Sequence, residues 1–478
     1  MTQVSSAPEQ KARPGAVLTI VLTSYLMIVL DISIVITGLP EIRDGLGFSA
    51  VGLSWVQNAY MLFFGGFLLI AARAGDVLGR KRMFVAGLTL FTAASLVIGL
   101  APTPSVLIVS RAAQGIGAAI LAPSVLALIS ITFPEGEART KALAYYSMVA
   151  GVGASLGLVL GGVFADQISW RVGFLMNVPM GIALIWAAHR VLHETERQPG
   201  RSDIAGAASS TLGIGALVYG IVHAAEAGWG DPLTLGCVAV ALMLIALFLG
   251  IEARAAQPVL PLRLFDSRVR VGGYLARALF LGAMVSFFFF TTQFMQEVLH
   301  FSPLLAGIGF LPMTLPTFAT AMLVPRYTAR FGNGALLTAA LLFGAVGMFW
   351  LGMARADAGY WAAVALPMVL IGVGNGFALG PLTVAGVSGV TSRDAGAASG
   401  LVNVAHQMGG ALGLSLLMVV FANAGHTGLS EAALRAERIG AAITGGGIFL
   451  TLATLFTLIL IVRSGSRKSS TALQGTPS

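Results

Sequence analysis

Residues 17–40 read VLTIVLTSYLMIVLDISIVITGLP, an apolar run that is long enough to cross a bilayer as a helix. The run contains a single carboxylate, Asp31. Placing an Asp at the centre of the hydrocarbon costs about 2.5–3.5 kcal/mol on insertion scales, so such a residue is expected to have a function. This stretch therefore predicts a membrane protein and places its first candidate site.

The composition also indicates a membrane protein. Hydrophobic residues make up 56% of the 478-residue chain and charged residues only 10%, whereas soluble domains are about 25% charged. The single cysteine, Cys237, excludes an intrachain disulfide and argues against a thiolate metal cluster. The net charge of +8 is scattered among short loops, so it does not indicate nucleic-acid binding.

Further apolar runs follow along the whole chain, and each is predicted to be a helix because an isolated strand leaves backbone groups unpaired in lipid. The fourteen predicted spans are 17–40, 51–71, 83–101, 104–131, 142–166, 172–190, 204–223, 233–251, 272–295, 304–325, 334–354, 360–386, 397–421 and 440–462.

The basic residues predict the orientation of these spans. With the N-terminus inside, twenty-one Lys and Arg residues lie in inner segments, five lie in outer loops, and Arg111 and Arg277 lie within spans. The positive-inside rule predicts such a bias, and omitting one early span would invert every later loop. We therefore expect a multi-pass protein of the cytoplasmic membrane with both termini cytoplasmic, whose first helix serves as its insertion signal.

The two longest inner links divide the spans into groups. The predicted organisation is two six-helix bundles with two helices inserted between them, an all-α membrane fold. Its segments are a cytoplasmic tail at 1–16, a first bundle at 17–190, the inserted pair with its links at 191–271, a second bundle at 272–462 and a cytoplasmic tail at 463–478.

One inner loop carries a charged motif, ARAGDVLGRKR at residues 72–82. Its glycines permit a tight turn, and the Asp can accept hydrogen bonds from Arg side chains or from a helix N-terminus. We predict a latch that holds one conformation closed, although a basic loop that only sets topology is the alternative. The matching loop of the second bundle, PRYTARFGNGA at 325–335, has Ala329 in place of the Asp. The predicted latch residues are Asp76, Gly79, Arg80 and Lys81.

This loop resembles the inner-loop signature of the major facilitator superfamily, with Ala72 where that pattern usually begins with Gly. Other stretches resemble motifs of the fourteen-helix drug:proton antiporters in that superfamily. They are LDISIVITGLP (30–40), RAAQGIGAA (111–119), WRVGFLMNVPMG (170–181), QEVLHFSPLLAG (296–307) and SGLVNVAHQMGGALG (399–413). The resemblance covers nearly the whole chain and implies the major facilitator fold, export of drugs, antibiotics or biocides, and a role in proton transfer for Arg111.

The antiporter motif of the fifth helix departs from this pattern. Leu158 stands where the family normally has Pro in the stretch GVGASLGLVLGG at 151–162, which weakens an inference about bending and about export over import. Gly153, Gly157 and Gly161 keep a small-xxx-small spacing, which predicts a face for close helix packing.

Asp31 and Arg111 lie at comparable depth. At about 1.5 Å per residue, Asp31 is roughly 13 Å from Pro40, and Arg111 is roughly 10 Å from Pro104. Because an apolar surrounding disfavours an ionised carboxylate and a nearby Arg favours it, a site that alternates between them can load and release a proton. We predict that Asp31 carries the proton and that Arg111 tunes it, although a purely structural pair is possible.

Polar residues within the predicted spans are candidates for the substrate cavity. They are Gln57, Asn58, Tyr60, Gln293, Gln296, Asn375, Asn403, His406 and Gln407. Asn375 lies in GVGNGFALGP (372–381), a Gly- and Pro-interrupted stretch typical of a gating helix. His406 either faces the cavity or bonds between helices. We expect Arg277 to extend its guanidinium to the membrane interface, and the Phe287–Phe290 run to face lipid for the most part.

These features favour a proton-coupled antiporter that exports lipophilic, amphiphilic or cationic compounds by alternating access. No catalytic residues, metal or cofactor are predicted; since the sequence contains no nucleotide-binding loop, the proton gradient is the expected energy source. The alternative within transport is a proton symporter that imports a small metabolite. A membrane enzyme or receptor would need clustered acids and His near an interface, or a soluble domain, and the sequence indicates neither.

Overall fold

A computed structural model describes residues 14–133, 136–194, 204–254, 260–357, 359–391, 394–426 and 428–463. All regular structure in these ranges is helical. The α-helices are α1 Pro14–Thr37, α2 Leu39–Leu46, α3 Trp55–Leu78, α4 Arg80–Gly99, α5 Pro104–Thr132, α6 Glu137–Gln167, α7 Trp170–Leu175, α8 Asn177–Val191, α9 Ile204–Ala227, α10 Pro232–Arg254, α11 Arg268–Gln293, α12 Pro303–Ile308, α13 Leu311–Phe331, α14 Asn333–Gly352, α15 Leu366–Gly386, α16 Ala395–Asn423 and α17 Glu431–Phe456. Short π-helical stretches extend three of them, at Phe294–Val298, Trp361–Ala365 and Thr457–Val462.

The described ranges contain fourteen helical segments long and apolar enough to span a membrane, which confirms the predicted number. The first span ends earlier than expected, at Thr37, because Gly38 leaves the helical conformation and the short helix α2 begins at Leu39, with Pro40 in its first turn. The last span starts earlier than expected, at Glu431, because Ser430 caps it by accepting a hydrogen bond from the backbone N–H of Ala433.

The helices form two bundles, a first half made of α1–α8 and a second half made of α11–α17. Within the first half, α6 packs along α1 through its small residues. Gly153 faces Leu26 and Val29, and Gly161 faces Ile34 and Thr37 of α1, with Gly157 between them. A Cβ atom on Gly161 would lie 2.5 Å from the Ile34 carbonyl oxygen, so the two backbones touch.

The inserted pair lies against the seam between the halves. Helix α9 packs on α3 of the first half and on α16 of the second, while α10 packs mainly on α9 and is largely exposed on its outer side. The helix pair therefore covers the flank of the seam and leaves the centre of the molecule to the two bundles.

Because the spans alternate in direction, α1 begins and α17 ends on one side of the molecule, here called the terminal face, and Pro40 lies near the opposite distal face. The halves meet closely at the distal face, where Gly162 of α6 packs on Pro303 of α12 and Gly307 of α12 packs on Leu158. These contacts close the molecule at the distal face. Helices α5 and α15, by contrast, have their main packing partners within their own halves.

The internal repeat has a structural counterpart. Gly79 between α3 and α4 has φ +104°, and Gly332 between α13 and α14 has φ +79°. A positive φ favours glycine, so both loops make their turn with the same residue type.

The Phe287–Phe290 run corrects an expectation. The side chains of Phe287, Phe289 and Phe290 are buried within the described protein rather than facing lipid. Phe287 packs edge-on against Phe310, and Phe290 stacks on Phe421. These three rings can be buried because α11 is surrounded by α15, α16 and α17 and is the most enclosed of the described spans.

Candidate functional site

Asp31 and Arg111 form an ion pair inside the first half. Asp31 lies on α1 with 1% of its surface exposed, and Arg111 lies on α5 with none. Arg111 Nη1 donates a 2.7 Å hydrogen bond to Asp31 Oδ2. The structure therefore brings together the carboxylate and the guanidinium that the sequence places at similar depth.

Three further polar side chains complete the surroundings of Asp31. Gln114 Nε2 and Asn177 Nδ2 donate to Asp31 Oδ1 at 2.8 and 2.9 Å, and Gln114 also donates to Ser95 Oγ at 2.8 Å. The five residues come from α1, α4, α5 and α8 and are here called the carboxylate cluster. Its members are Asp31, Ser95, Arg111, Gln114 and Asn177.

Arg111 is held on its other sides as well. Its Nε donates to the Val56 carbonyl at 3.0 Å, and its guanidinium lies 4.3 Å from the centre of the Tyr60 ring. Gly115, one turn further along α5, lies directly against the backbone of Tyr60, which no larger residue would permit. The glycine of the RAAQGIGAA motif thus sets the close approach of α5 and α3 that positions Arg111.

This arrangement suits an ionised carboxylate. Every hydrogen bond that the described residues make to Asp31 comes from an N–H donor, and an ionised carboxylate only accepts. Protonating Asp31 would remove its charge attraction to Arg111 and weaken these bonds. The protonation state of Asp31 can therefore change how tightly α1 is held to α5 and α8.

The predicted latch loop binds within its own half. Arg80 forms an ion pair with Asp76 and donates to the Ala72 carbonyl at 3.2 Å. Glu194, which follows α8, accepts from the backbone N–H groups of Lys81 and Arg82 at 3.0 and 3.1 Å and so caps α4. Gly79 lies against this carboxylate, leaving no room for a side chain.

Several cavity candidates of the first half are buried in the closed packing. Gln57, Asn58 and Tyr60 each have 5% or less of their surface exposed. Asn58 donates to Ser415 Oγ at 3.0 Å across the seam to α16, and Tyr60 lies under Arg111. Asn58 and Tyr60 thus contact other helices in this conformation and Gln57 is buried, so that the role of these three residues in a substrate cavity stays a prediction.

The candidates of the second half divide into two groups. Gln293 is buried and donates to its own helix at Phe289, and Gln296 donates to the Thr37 carbonyl at 2.8 Å across the distal seam, so neither lines a cavity here. Gln407 of α16 lies at the seam against Gly65 of α3. Asn375, Asn403 and His406 keep exposed surface inside the spans and remain cavity candidates.

Arg277 is not directed to the membrane interface, contrary to the prediction. It has 7% of its surface exposed and points between α11, α15 and α16. Its Nη1 donates to Thr383 Oγ1 at 2.9 Å, and its Nη2 donates to His406 Nδ1 at 3.0 Å. The polar partners inside the bundle hold the guanidinium there, so His406 bonds between helices.

Sequence reasoning missed the ion cluster that closes the distal face. Glu297 accepts from Arg43 of the first half and from Arg435 of the second, so these three residues, here called the distal ion cluster, tie the halves together. It also missed Ser95, Gln114 and Asn177. Gln114 and Asn177 lie inside the motifs at 111–119 and 170–181, and this position could have marked them as candidates. Ser95 lies outside the motifs, so the sequence offers no such indication for it.

No group of three or more His, Cys, Asp or Glu residues in the described ranges is placed to hold a metal ion. The polar chemistry of the first half is instead concentrated around one carboxylate and one guanidinium. A buried acid paired with a guanidinium between membrane-spanning helices, in a molecule built of two packed helical bundles, is typical of a membrane transporter.

The chain belongs to the Major Facilitator Superfamily, whose model matches residues 21–414. Solved structures of the fold agree: a bacterial homologue of the human lysosomal transporter Spinster, captured facing inward, superposes with a TM-score of 0.69 at 15% identity, covering 95% of this chain and 98% of that one.

Two relatives are named for the export of an antibiotic or for resistance to one. The cephamycin export protein of Amycolatopsis lactamdurans is 39% identical over 448 residues, covering 93% of this chain and 92% of that protein. The puromycin resistance protein of Streptomyces alboniger is 36% identical, covering 84% of this chain and 81% of that protein. The chain is thus a transporter of this superfamily, and it is similar to proteins named for antibiotic export or resistance.

Proposed function

We propose that the protein is a proton-coupled antiporter that exports lipophilic or amphiphilic antibiotics and biocides across the cytoplasmic membrane, with its terminal face in the cytoplasm. The observation that carries this proposal is the Asp31–Arg111 pair, buried inside an apolar span where an ionised group is costly. The names of the relatives favour export over the import of a metabolite.

Proton binding and helix packing are linked in this proposal. An ionised Asp31 holds α1 to α5 and α8 through Arg111, Gln114 and Asn177. Protonation weakens this attachment and favours the alternative arrangement of the halves, because a ligand shifts an equilibrium only by its different affinity for the two states. Substrate and proton thus cross the membrane in opposite directions through the same rearrangement of the halves.

The distal closure supports the direction of access. The halves are tied together at the distal face by the distal ion cluster and by Gln296. With the terminal face in the cytoplasm, this conformation takes up substrate from the cytoplasm. The latch residues Asp76, Gly79, Arg80 and Lys81 then act in the other conformation, when the terminal face closes.

The test uses purified protein reconstituted into lipid vesicles with its cytoplasmic side facing outward, and the lumen of the vesicles is made acidic. Adding a substrate such as ethidium should discharge the proton gradient, and Asp31→Asn should lower this proton movement at least about a hundredfold, the scale of losing an essential proton-transfer group. Exchange of labelled for unlabelled ethidium without a gradient should persist, because Asn retains the shape of the side chain.

The matched control is Asp166→Asn, the same change at an exposed acid of α6, which should behave as wild type. Gradient-driven transport by Asp31→Asn at the wild-type rate would overturn the role of Asp31. Further acidification of the lumen on adding substrate would instead show a symporter.

A further inference from the structure

Arg277 is a buried cation without an acidic partner. Among the described residues it forms no ion pair, and its neighbours are the Leu379 carbonyl, the Thr383 hydroxyl and the His406 ring. Between residues 268 and 462, the sequence of the second half contains only five acidic residues. All of them lie in loops or near the ends of helices: Glu297, Asp357, Asp394, Glu431 and Glu437. The opposite half pairs its buried Arg111 with Asp31.

An uncompensated guanidinium inside a helical bundle is costly, and truly buried charges are normally paired. Arg277 Nε is buried and has no hydrogen-bond partner within the described protein. The Nε–H and one N–H of Nη2 point in parallel from the same edge of the guanidinium, which matches the two oxygens of a carboxylate. That edge therefore lacks the ligand that its chemistry suits.

The neighbouring His406 helps to hold the guanidinium in place. Because a guanidinium can only donate, the 3.0 Å bond from Arg277 Nη2 requires His406 Nδ1 to accept. The ring is then neutral and carries its proton on Nε2. The Nε2–H group therefore lies on the side of the ring away from Arg277, and no described partner of the guanidinium carries a negative charge.

One stripe of α15 borders Arg277. Asn375, Leu379 and Thr383 are spaced four residues apart and lie above one another on the same face of the helix. Thr383, which contacts Arg277, is exposed, and Asn375 and Leu379 are half-buried. Arg277 lies about 14 Å along α11 from Arg268, on the side of the molecule away from the distal closure.

We propose that Arg277, positioned by His406 and Thr383, forms a subsite that binds the carboxylate group of an exported compound, with the rest of the compound lying along the Asn375–Thr383 stripe. This inference rests on the proposed function and extends it by naming an anionic group in a class of substrates otherwise described as lipophilic. The carboxylate bridges Nε and Nη2 of Arg277, while His406 Nδ1 and Thr383 Oγ1 accept from the guanidinium and hold it in place.

The test compares two probes that differ only in this group, rhodamine B with its free carboxylate and rhodamine B ethyl ester. Binding is measured by fluorescence anisotropy on purified protein in nanodiscs without a proton gradient, so that a failure of proton coupling does not affect the result. Wild type should bind the acid more tightly than the ester. Arg277→Gln should weaken binding of the acid about tenfold or more and leave binding of the ester unchanged.

Two further variants separate recognition from folding. Arg277→Lys should recover part of the preference for the acid, because it restores the charge without the planar pair of donors. Arg270→Gln removes a cation two turns earlier on α11 that is bound to carbonyl groups, and it should keep the wild-type preference. Equal binding of acid and ester by wild type, or an equal loss of both in Arg277→Gln, would overturn the proposal.

Discussion

At the residue scale, the protein places charge inside apolar surroundings in three different ways. Asp31 and Arg111 neutralise each other, and Arg277 has only neutral partners. Glu41, at the distal face, is a third case. It lies in α2 outside the spans, and one of its carboxyl oxygens is buried without a hydrogen-bond partner among the described residues.

Burial raises the pKa of Glu41 from its ordinary value of 4.5 to about 7, with the negative charges of Asp44 and Asp166 adding to the shift and Arg43 opposing it. The folded protein therefore holds this proton to higher pH than the unfolded chain does. Between pH 4.5 and about 7 the native state binds more protons than the unfolded chain does. The contribution of Glu41 to the free energy of unfolding therefore falls as the pH rises through this range, and it is constant above it.

Replacing Glu41 by Gln should remove this contribution. We expect the thermal unfolding midpoint of Glu41→Gln to rise relative to wild type as the pH increases from about 5 to 7.5, because the variant has no proton to lose there. Differential scanning fluorimetry of both proteins in the same detergent measures the difference. Asp357→Asn, at a carboxylate on the protein surface, serves as the control, and a pH-independent difference for Glu41→Gln would contradict the assignment.

At the scale of helices, glycine decides which elements can touch. The spacing of Gly153, Gly157 and Gly161 predicts a packing face, and the structure shows that face against α1, the helix that carries Asp31. Of these three glycines, Gly161 lies closest to the backbone of α1, because a Cβ there would lie 2.5 Å from the Ile34 carbonyl oxygen and 2.7 Å from the Ile34 Cα. The position of Asp31 therefore depends on small residues in another helix.

A methyl group at this position should separate the helices. We expect Gly161→Ala to destabilise the protein by about 1–3 kcal/mol, the usual cost of overpacking, and to lower gradient-driven export. Thermal unfolding and vesicle transport measure the two effects.

The matched control is Gly236→Ala in α10, where an added Cβ meets no atom within 4 Å. That change should be neutral or slightly stabilising, because Ala favours a helix more than Gly does. If Gly161→Ala were as stable as the control variant, the close contact between α1 and α6 would not contribute to stability.

At the scale of the whole molecule, the two halves are joined at the distal face by a small number of polar contacts. Glu297 accepts from Arg43 on one side and Arg435 on the other. Without Glu297, two cations of opposite halves would face each other. The distal ion cluster should therefore set the balance between the closed and open forms of that face.

Glu297→Gln should shift the population towards a form that is open at the distal face, by about tenfold or more, because charge-assisted hydrogen bonds to Arg43 and Arg435 are lost. Pulsed EPR can follow this shift with spin labels at Ala50→Cys and Ala432→Cys, exposed positions in the two halves. Replacing the single cysteine by Cys237→Ser gives a clean background.

Glu437→Gln is the control, since the partner of Glu437 is His426 of the same half. Its distance distribution should match that of wild type. A Glu297→Gln distribution without a longer component would contradict a role of the cluster in closing the distal face.

The sequence by itself determined the fold class, because fourteen apolar runs leave the chain no alternative to membrane helices and the alternation of Lys and Arg between loops predicts their orientation. It also singled out Asp31 and Arg111, since charged residues are rare in such runs and helical rise gives their depth. These properties are local: hydrophobicity, length and spacing can be read along the chain.

The tertiary structure decided which polar groups meet. Gln114, Asn177 and Ser95 surround Asp31 only because α1, α4, α5 and α8 converge there, and Glu297 lies between Arg43 and Arg435 only because the halves close at the distal face. Arg277, expected at the interface, is held inside by α15 and α16. The depth of a residue follows from its own helix, but its partners depend on how neighbouring helices are rotated, and packing between distant segments sets that rotation.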